Sequence, residues 1–155
     1  MNTTDNNSKI IDGVAIRSLS KIKNDKGNIL HIIKSTDSYF SKFGECYISE
    51  IYPGKIKAWK KNSLQTQNLT VIEGNAKFVI FDDRKNSITK NQINVFEINR
   101  DLNYKLLTIV PNLWYGFSCI GSQKSLIVNC SDYPHNAKNI TSLDIKNDLI
   151  PFDWL

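Results

Sequence analysis

Short runs of β-branched and aromatic residues, each closed by turn chemistry, recur along this chain, and helical periodicity is hard to find. Residues 14–19 are followed by the turn signal at 23–28 and a second run at 29–33, two strands around a glycine-containing turn. Residues 46–52 stop at Pro53-Gly54, a pair suited to the centre of a tight turn, and 55–59 follow. Residues 68–72 and 76–83 flank Glu73-Gly74-Asn75, which predicts a hairpin with Gly74 at positive φ. Further runs at 95–98, 105–110 and 125–130 bring the reading to about eight to ten strands, the pattern of a β-sandwich or small barrel. From Ser131 the chain turns polar, leaving room for a short helical turn. It ends on Ile150-Pro-Phe-Asp-Trp-Leu155, too apolar to stand in solvent and expected to dock on the body or on a neighbouring subunit.

The 155 residues suffice for one domain with a real core, read here as 10–155 behind a disordered polar tail at 1–9. No apolar run reaches membrane-spanning length and the first eight residues lack a signal-peptide core, so a cytoplasmic protein off the membrane is expected. Cys46, Cys119 and Cys130 form no CxxC pair and are odd in number, which reads as free thiols in place of a disulfide framework or zinc site. Two histidines, His31 and His135, are too few for a histidine cluster, and neither a metal nor another cofactor is expected. The net charge of +5 is mostly lysine, scattered along the chain, with arginine only at positions 17, 84 and 100. Nucleic-acid binders more often interleave arginine and aromatics on one face, so no nucleic-acid partner is expected. A mild positive balance suits an anionic small molecule equally well.

Two segments hold the candidate chemistry. Lys55, Lys57, Lys60 and Lys61 follow the Pro53-Gly54 turn. Strict alternation puts Lys55 and Lys57 on a face with Trp59, and Lys60 with Ile56 and Ala58 toward the interior unless a bulge intervenes. An inward lysine needs an anion or a buried carboxylate, whereas a strand ending at Trp59 would leave Lys60 and Lys61 solvated. In residues 111–117, Tyr115 precedes Gly116 and faces either a ligand or the core. Tyr133 is a further candidate acid, or a strand-end tyrosine stacked on Pro134.

Segments 13–17, 27–32, 52–60, 71–74, 81–84, 110–117 and 150–154, in this order and spacing, resemble the dTDP-4-dehydrorhamnose 3,5-epimerase family, and among its members the short RmlC-like ones. The resemblance runs from about Gly13 to the end. It implies an all-β, cupin-type jelly-roll β-barrel with a short C-terminal extension, metal-free and homodimeric, that binds a nucleotide-diphospho-4-keto-sugar. In the family a histidine backed by an aspartate removes protons beside the keto group. A tyrosine returns a proton on the opposite face, and lysine and arginine stabilise the enolate and the diphosphate.

Carried over by position, the family's base falls on Lys60 in Lys57-Ala-Trp-Lys60, and its second histidine on Tyr115. The phosphate-binding arginine falls on Lys26 and a nearby glutamate on His31, while Arg84 keeps its place after Asp83. The residues and the resemblance together assign Lys60, Tyr115 and Tyr133 to catalysis, and Lys26, His31, Lys57, Trp59 and Arg84 to substrate. Two readings stand together. One is a nucleotide-sugar epimerase or isomerase of cell-surface polysaccharide synthesis with altered acid–base residues. The other is an inactive cupin that binds a nucleotide sugar or stabilises a partner enzyme. Lys60 separates them, because a lysine acts as a base only where burial or a neighbouring cation strips its proton.

Overall fold

The computed structural model describes residues 9–154, so that the tail expected at 1–9 lies, except for Lys9, outside the described residues. Twelve strands follow one another: β1 (Val14–Ser18), β2 (Lys21–Ile22), β3 (Ile29–Leu30), β4 (Glu45–Ile51), β5 (Ile56–Asn62), β6 (Gln67–Glu73), β7 (Asn75–Phe81), β8 (Ile93–Asn99), β9 (Lys105–Ile109), β10 (Trp114–Cys119), β11 (Ser125–Ser131) and β12 (Ile140–Ser142). A 3-10 turn, Ala137–Asn139, precedes β12. No helix among the described residues is long and apolar enough to cross a membrane.

One five-stranded sheet has the order β1-β9-β6-β11-β4 and a second the order β12-β5-β10-β7-β8, with β2 and β3 as a separate pair. All pairings are antiparallel. The two sheets are not joined into a continuous ring; they face each other as the jelly-roll sandwich expected from the sequence. Gly74 takes φ +77° between β6 and β7, as the hairpin requires, with the Lys124 carbonyl 2.4 Å from where a Cβ would stand.

Between the sheets lies the main core, with Leu69 and Val71 from β6, Phe78 and Ile80 from β7, Leu107 and Ile109 from β9, Phe117 from β10 and Ile127 from β11. Alternation sends the intervening residues of the second sheet outward. There Trp59, Val79, Phe81 and Trp114 form a second apolar cluster covered by Ile150 and Trp154. Trp59 stands 5.2 Å from Trp154 and 6.2 Å from Phe152 between ring centroids. The terminal Ile150–Trp154 stretch thus docks on the body of its own chain.

Candidate functional site

Inward-facing positions grade from apolar to polar toward one end of the sandwich. Along β6 the succession is Val71, Leu69, Gln67; along β11, Ile127, Asn129, Ser131; along β10, Phe117, Tyr115. Where the gradient turns polar the sheets do not close, leaving a cavity of about 210 Å³ lined by Tyr47, Ser49, Lys57, Lys60, Leu69, Tyr115, Phe117, Ile127 and Asn129. A smaller space beside it, about 40 Å³, adds Lys61, Asn62, Gln65, His135 and Ile140 to Tyr47, Lys60 and Tyr115. Five strands from both sheets therefore converge on one recess with two ammonium groups and two phenols.

A bulge delivers both lysines. Tyr115 pairs with Lys60 and Phe117 with Lys57, so the single residue Gly116 faces the two residues Ala58 and Trp59. Lys57 and Lys60 consequently share the cavity face. Simple alternation is overturned here: Ile56, Ala58 and Trp59 all pack in the outer apolar cluster, and Lys60 enters the cavity with Lys57 instead of with Ile56 and Ala58. Lys57 is held toward β4, its Nζ donating to Ser49 Oγ at 3.0 Å and to the Glu50 carbonyl at 2.6 Å. Lys61 points elsewhere, to Asp83 at 2.8 Å, with its Nζ 4.6 Å from the Trp114 ring centroid.

The polar wall is a chain of hydrogen bonds. Asn129, buried, donates through its amide nitrogen to the Tyr47 hydroxyl at 2.9 Å and to the Gln67 side-chain oxygen. Because the Tyr47 oxygen already accepts a hydrogen bond, its own O–H remains to be directed at another acceptor. Burial, with a smaller contribution from the nearby Tyr47 phenol, pushes the Tyr115 hydroxyl far above the usual tyrosine range. It is therefore a neutral proton donor at physiological pH, able to hydrogen-bond a ligand oxygen and unable to act as a phenolate base. Lys60 itself is exposed at the mouth.

The remaining expected site residues stand apart from this recess. Trp59 has no exposed surface and lies on the outer face, so it is corrected from a ligand contact to a core residue. Tyr133 turns away: Lys42 Nζ lies 3.3 Å from its ring centroid, and its carbonyl accepts from Gln65 Nε2 at 2.6 Å and Ser131 Oγ at 2.9 Å. Arg84 is occupied in the β7–β8 loop, with Nε at 2.9 Å from Asp82 Oδ1 and Nη2 at 2.6 Å from the Asp12 carbonyl. Lys26 is exposed in the turn joining β2 to β3, and His31, just after β3, lines a different recess with Ser18, Ile33 and Tyr39. The sequence reading missed Tyr47, Ser49, Asn129 and His135. The alternation Tyr47/Ser49 in β4 was the available signal for the first two; His135 depends on a loop path that no local pattern encodes. No group of three or more His, Cys, Asp or Glu that could hold a metal ion gathers among the described residues.

A two-sheet jelly roll with a polar recess between its sheets defines the cupin class. A solved dTDP sugar isomerase from Desulfovibrio desulfuricans superposes with a TM-score of 0.91 at 36% identity, covering 93% of this chain and 92% of that one. The probable low-salt glycan biosynthesis epimerase of Haloferax volcanii is 29% identical over 145 residues, 92% of this chain and 89% of the relative. A dTDP-4-dehydrorhamnose 3,5-epimerase from Bacillus anthracis, solved with TDP and pyrophosphate bound, shares the fold at 18% identity and a TM-score of 0.82, covering 96% of this chain and 88% of that one. No family model matches the chain. The chain belongs to the dTDP-4-dehydrorhamnose 3,5-epimerase family of RmlC-like cupins.

Proposed function

We propose that this protein binds a nucleotide-diphospho-4-keto-6-deoxy-sugar in the recess between its sheets, and that it serves cell-surface polysaccharide synthesis in the cytoplasm. The observation that carries the reading is the convergence of Lys57, Lys60, Tyr47 and Tyr115 on one cavity in a chain of this family. Two ammonium groups suit a diphosphate or a developing enolate, and two phenol hydroxyls suit the sugar's keto and hydroxyl oxygens. The resemblance puts Lys60 and Tyr115 at the family's histidine positions. Proton abstraction alpha to the keto group then falls to Lys60, with Tyr115 returning the proton; His135 is the one imidazole lining the adjoining space and a further proton acceptor.

We also propose a homodimer. The β2–β3 hairpin exposes Ile22 and Ile29 and carries Lys26 in its turn, a face that a second copy would cover. Lys26 and His31 retain a role in substrate binding only through such an assembly, since neither lines the cavity of its own chain.

The exposure of Lys60 favours a second reading, a binding module without turnover, because a reacting group is ordinarily enclosed with its substrate away from water. Solvent deuterium incorporation into dTDP-, UDP- and GDP-linked 4-keto-6-deoxy sugars, followed by NMR, separates the two. Exchange at C3 or C5 that Lys60→Ala abolishes supports the enzyme; exchange that survives Lys60→Ala moves the base to another residue. Saturable binding of one sugar nucleotide without exchange supports the module, and neither binding nor exchange overturns both.

A further inference from the structure

On the face of the β11–β4 pair that points away from the cavity, Cys46 and Cys130 stand directly opposite one another, with Sγ···Sγ at 3.0 Å. Directly opposed residues of an antiparallel pair have Cα atoms about 4.5–5.5 Å apart. That interval lies inside the roughly 4.4–6.8 Å a disulfide tolerates, so about 1 Å of sulfur movement separates the contact from a bond of about 2.05 Å. No backbone rearrangement is required. Cys46 is exposed and Cys130 half-buried, and both line a recess of about 470 Å³ beneath Phe40 and Phe43, through which a small reagent can reach them. Cys119 is excluded: it is buried on β10, where its Sγ donates to the Gln123 carbonyl at 3.0 Å.

The next pair in the same register is Tyr47 opposite Asn129, and these two side chains face the cavity and hydrogen-bond each other there. Among the described residues β4 is an edge strand whose sole partner in the sheet is β11. Whatever fastens Cys46 to Cys130 therefore fastens the strand that supplies Tyr47 and Ser49 to the cavity wall. We propose that Cys46 and Cys130 are a reversible redox modification site, a dithiol that closes to a disulfide on reaction with a low-molecular-weight disulfide and pins β4 to β11 behind the ligand cavity.

The exchange balances without another reactant. The Cys46 thiolate attacks the small disulfide, releasing one thiol and forming a mixed disulfide; Cys130 then attacks the Cys46 sulfur and releases the second thiol. The protein gives up two protons and two electrons, and the small disulfide is reduced to two thiols. The order follows from access, since Cys46 is the exposed partner. Burial, reinforced by the contact with Cys46, pushes the Cys130 thiol up to about 12. The burial part of that shift persists in the mixed disulfide, so the closing step runs through a small thiolate fraction and its rate rises with pH.

The test treats the full chain with oxidised glutathione and reads intact mass, peptide maps and amide hydrogen exchange. Expected are a Cys46–Cys130 crosslinked peptide with the mass of two hydrogens lost and Cys119 still free, reversal by dithiothreitol, and exchange over Glu45–Ile51 slowed on the order of tenfold. In Cys130→Ser the reaction stops at a glutathione adduct on Cys46. A persistent adduct on Cys46 in the unaltered chain, a bond between two chains, or a crosslink that leaves Glu45–Ile51 exchange unchanged overturns the proposal. These readouts use the protein alone and do not depend on the ligand reading.

Discussion

Asp82 has no exposed side-chain surface, yet it accepts from Arg84 Nε and backbone nitrogen, from Ser87 Oγ at 2.5 Å and from Thr89 Oγ1 at 2.8 Å. Burial alone would push its carboxyl up, but the bonds from Arg84, Ser87 and Thr89 outweigh it and hold the group far below the usual carboxylate range. The folded value lies below the unfolded one, so this contribution is complete above the unfolded carboxylate value of about 4 and drains away as the pH falls below it. Asp82→Asn is expected to cost about 3 kcal/mol at neutral pH, because it leaves the Arg84 charge without its partner. In urea melts from pH 7 to pH 2 the gap between variant and parent should narrow; a constant gap would locate the acid sensitivity in other groups. The resemblance placed Arg84 at the ligand because it follows an aspartate pair, a pattern equally written by a loop staple. Trp59 misleads in a parallel way, its aromatic character suiting a sugar face or a core. The sequence carries the residue type, and only the direction of the side chain decides between them.

Direction is set at the level of the element, and β5 shows how. Residues 55–59 read as a strand from composition, and the strand is there, continuing through Lys60 and Lys61 to Asn62. What composition lacks is the bulge, since nothing in Lys57-Ala-Trp-Lys60 says that Gly116 across the ladder faces two residues instead of one. Gly116 permits it: a Cβ there would lie 2.4 Å from the Ala58 methyl and 3.0 Å from both Ala58 Cα and Trp154 Cζ2. Gly116→Ala is therefore expected to destabilise the chain by about 2 kcal/mol in equilibrium denaturation. Moving the methyl across the ladder, Ala58→Gly with Gly116→Ala, should recover more than half of that loss despite the intrinsic cost of about 0.5–1 kcal/mol for glycine in a strand. An additive double variant would mean that the crowding lies with Trp154. The docking of Trp154 was legible because a terminal run of apolar residues has few alternatives; its partners Trp59 and Val79 were not, since they come from strands distant in sequence.

At the scale of the whole molecule, most of the strands follow from local turn chemistry, although the twelve observed exceed the eight to ten expected by short pieces such as β2 and β12, while the cavity does not. It exists because inward positions of β4, β5, β6, β10 and β11 turn polar at the same level of the sandwich, a coincidence across five strands that no single segment displays. The +5 net charge is likewise spread along the chain in sequence, and the fold decides that Lys57 and Lys60 are the ammonium groups gathered at that level. In the binding-module reading the ligand's diphosphate is held partly by these two charges, and binding must raise stability by mass action. At a concentration one hundred times Kd the gain is about 2.7 kcal/mol. At roughly 2–4 °C per kcal/mol for a chain of this size, dTDP-sugar should raise Tm by about 5–10 °C. Raising salt from about 0.05 M to 0.5 M shortens the Debye length several-fold, so the shift should shrink without vanishing, the cavity being only partly open to solvent. Lys60→Ala, made at an exposed position, should leave the unliganded Tm nearly unchanged and remove most of the nucleotide-induced shift. A shift that survives this substitution and ignores salt would put the anion outside the cavity and leave the convergence of the two lysines without a ligand to explain it.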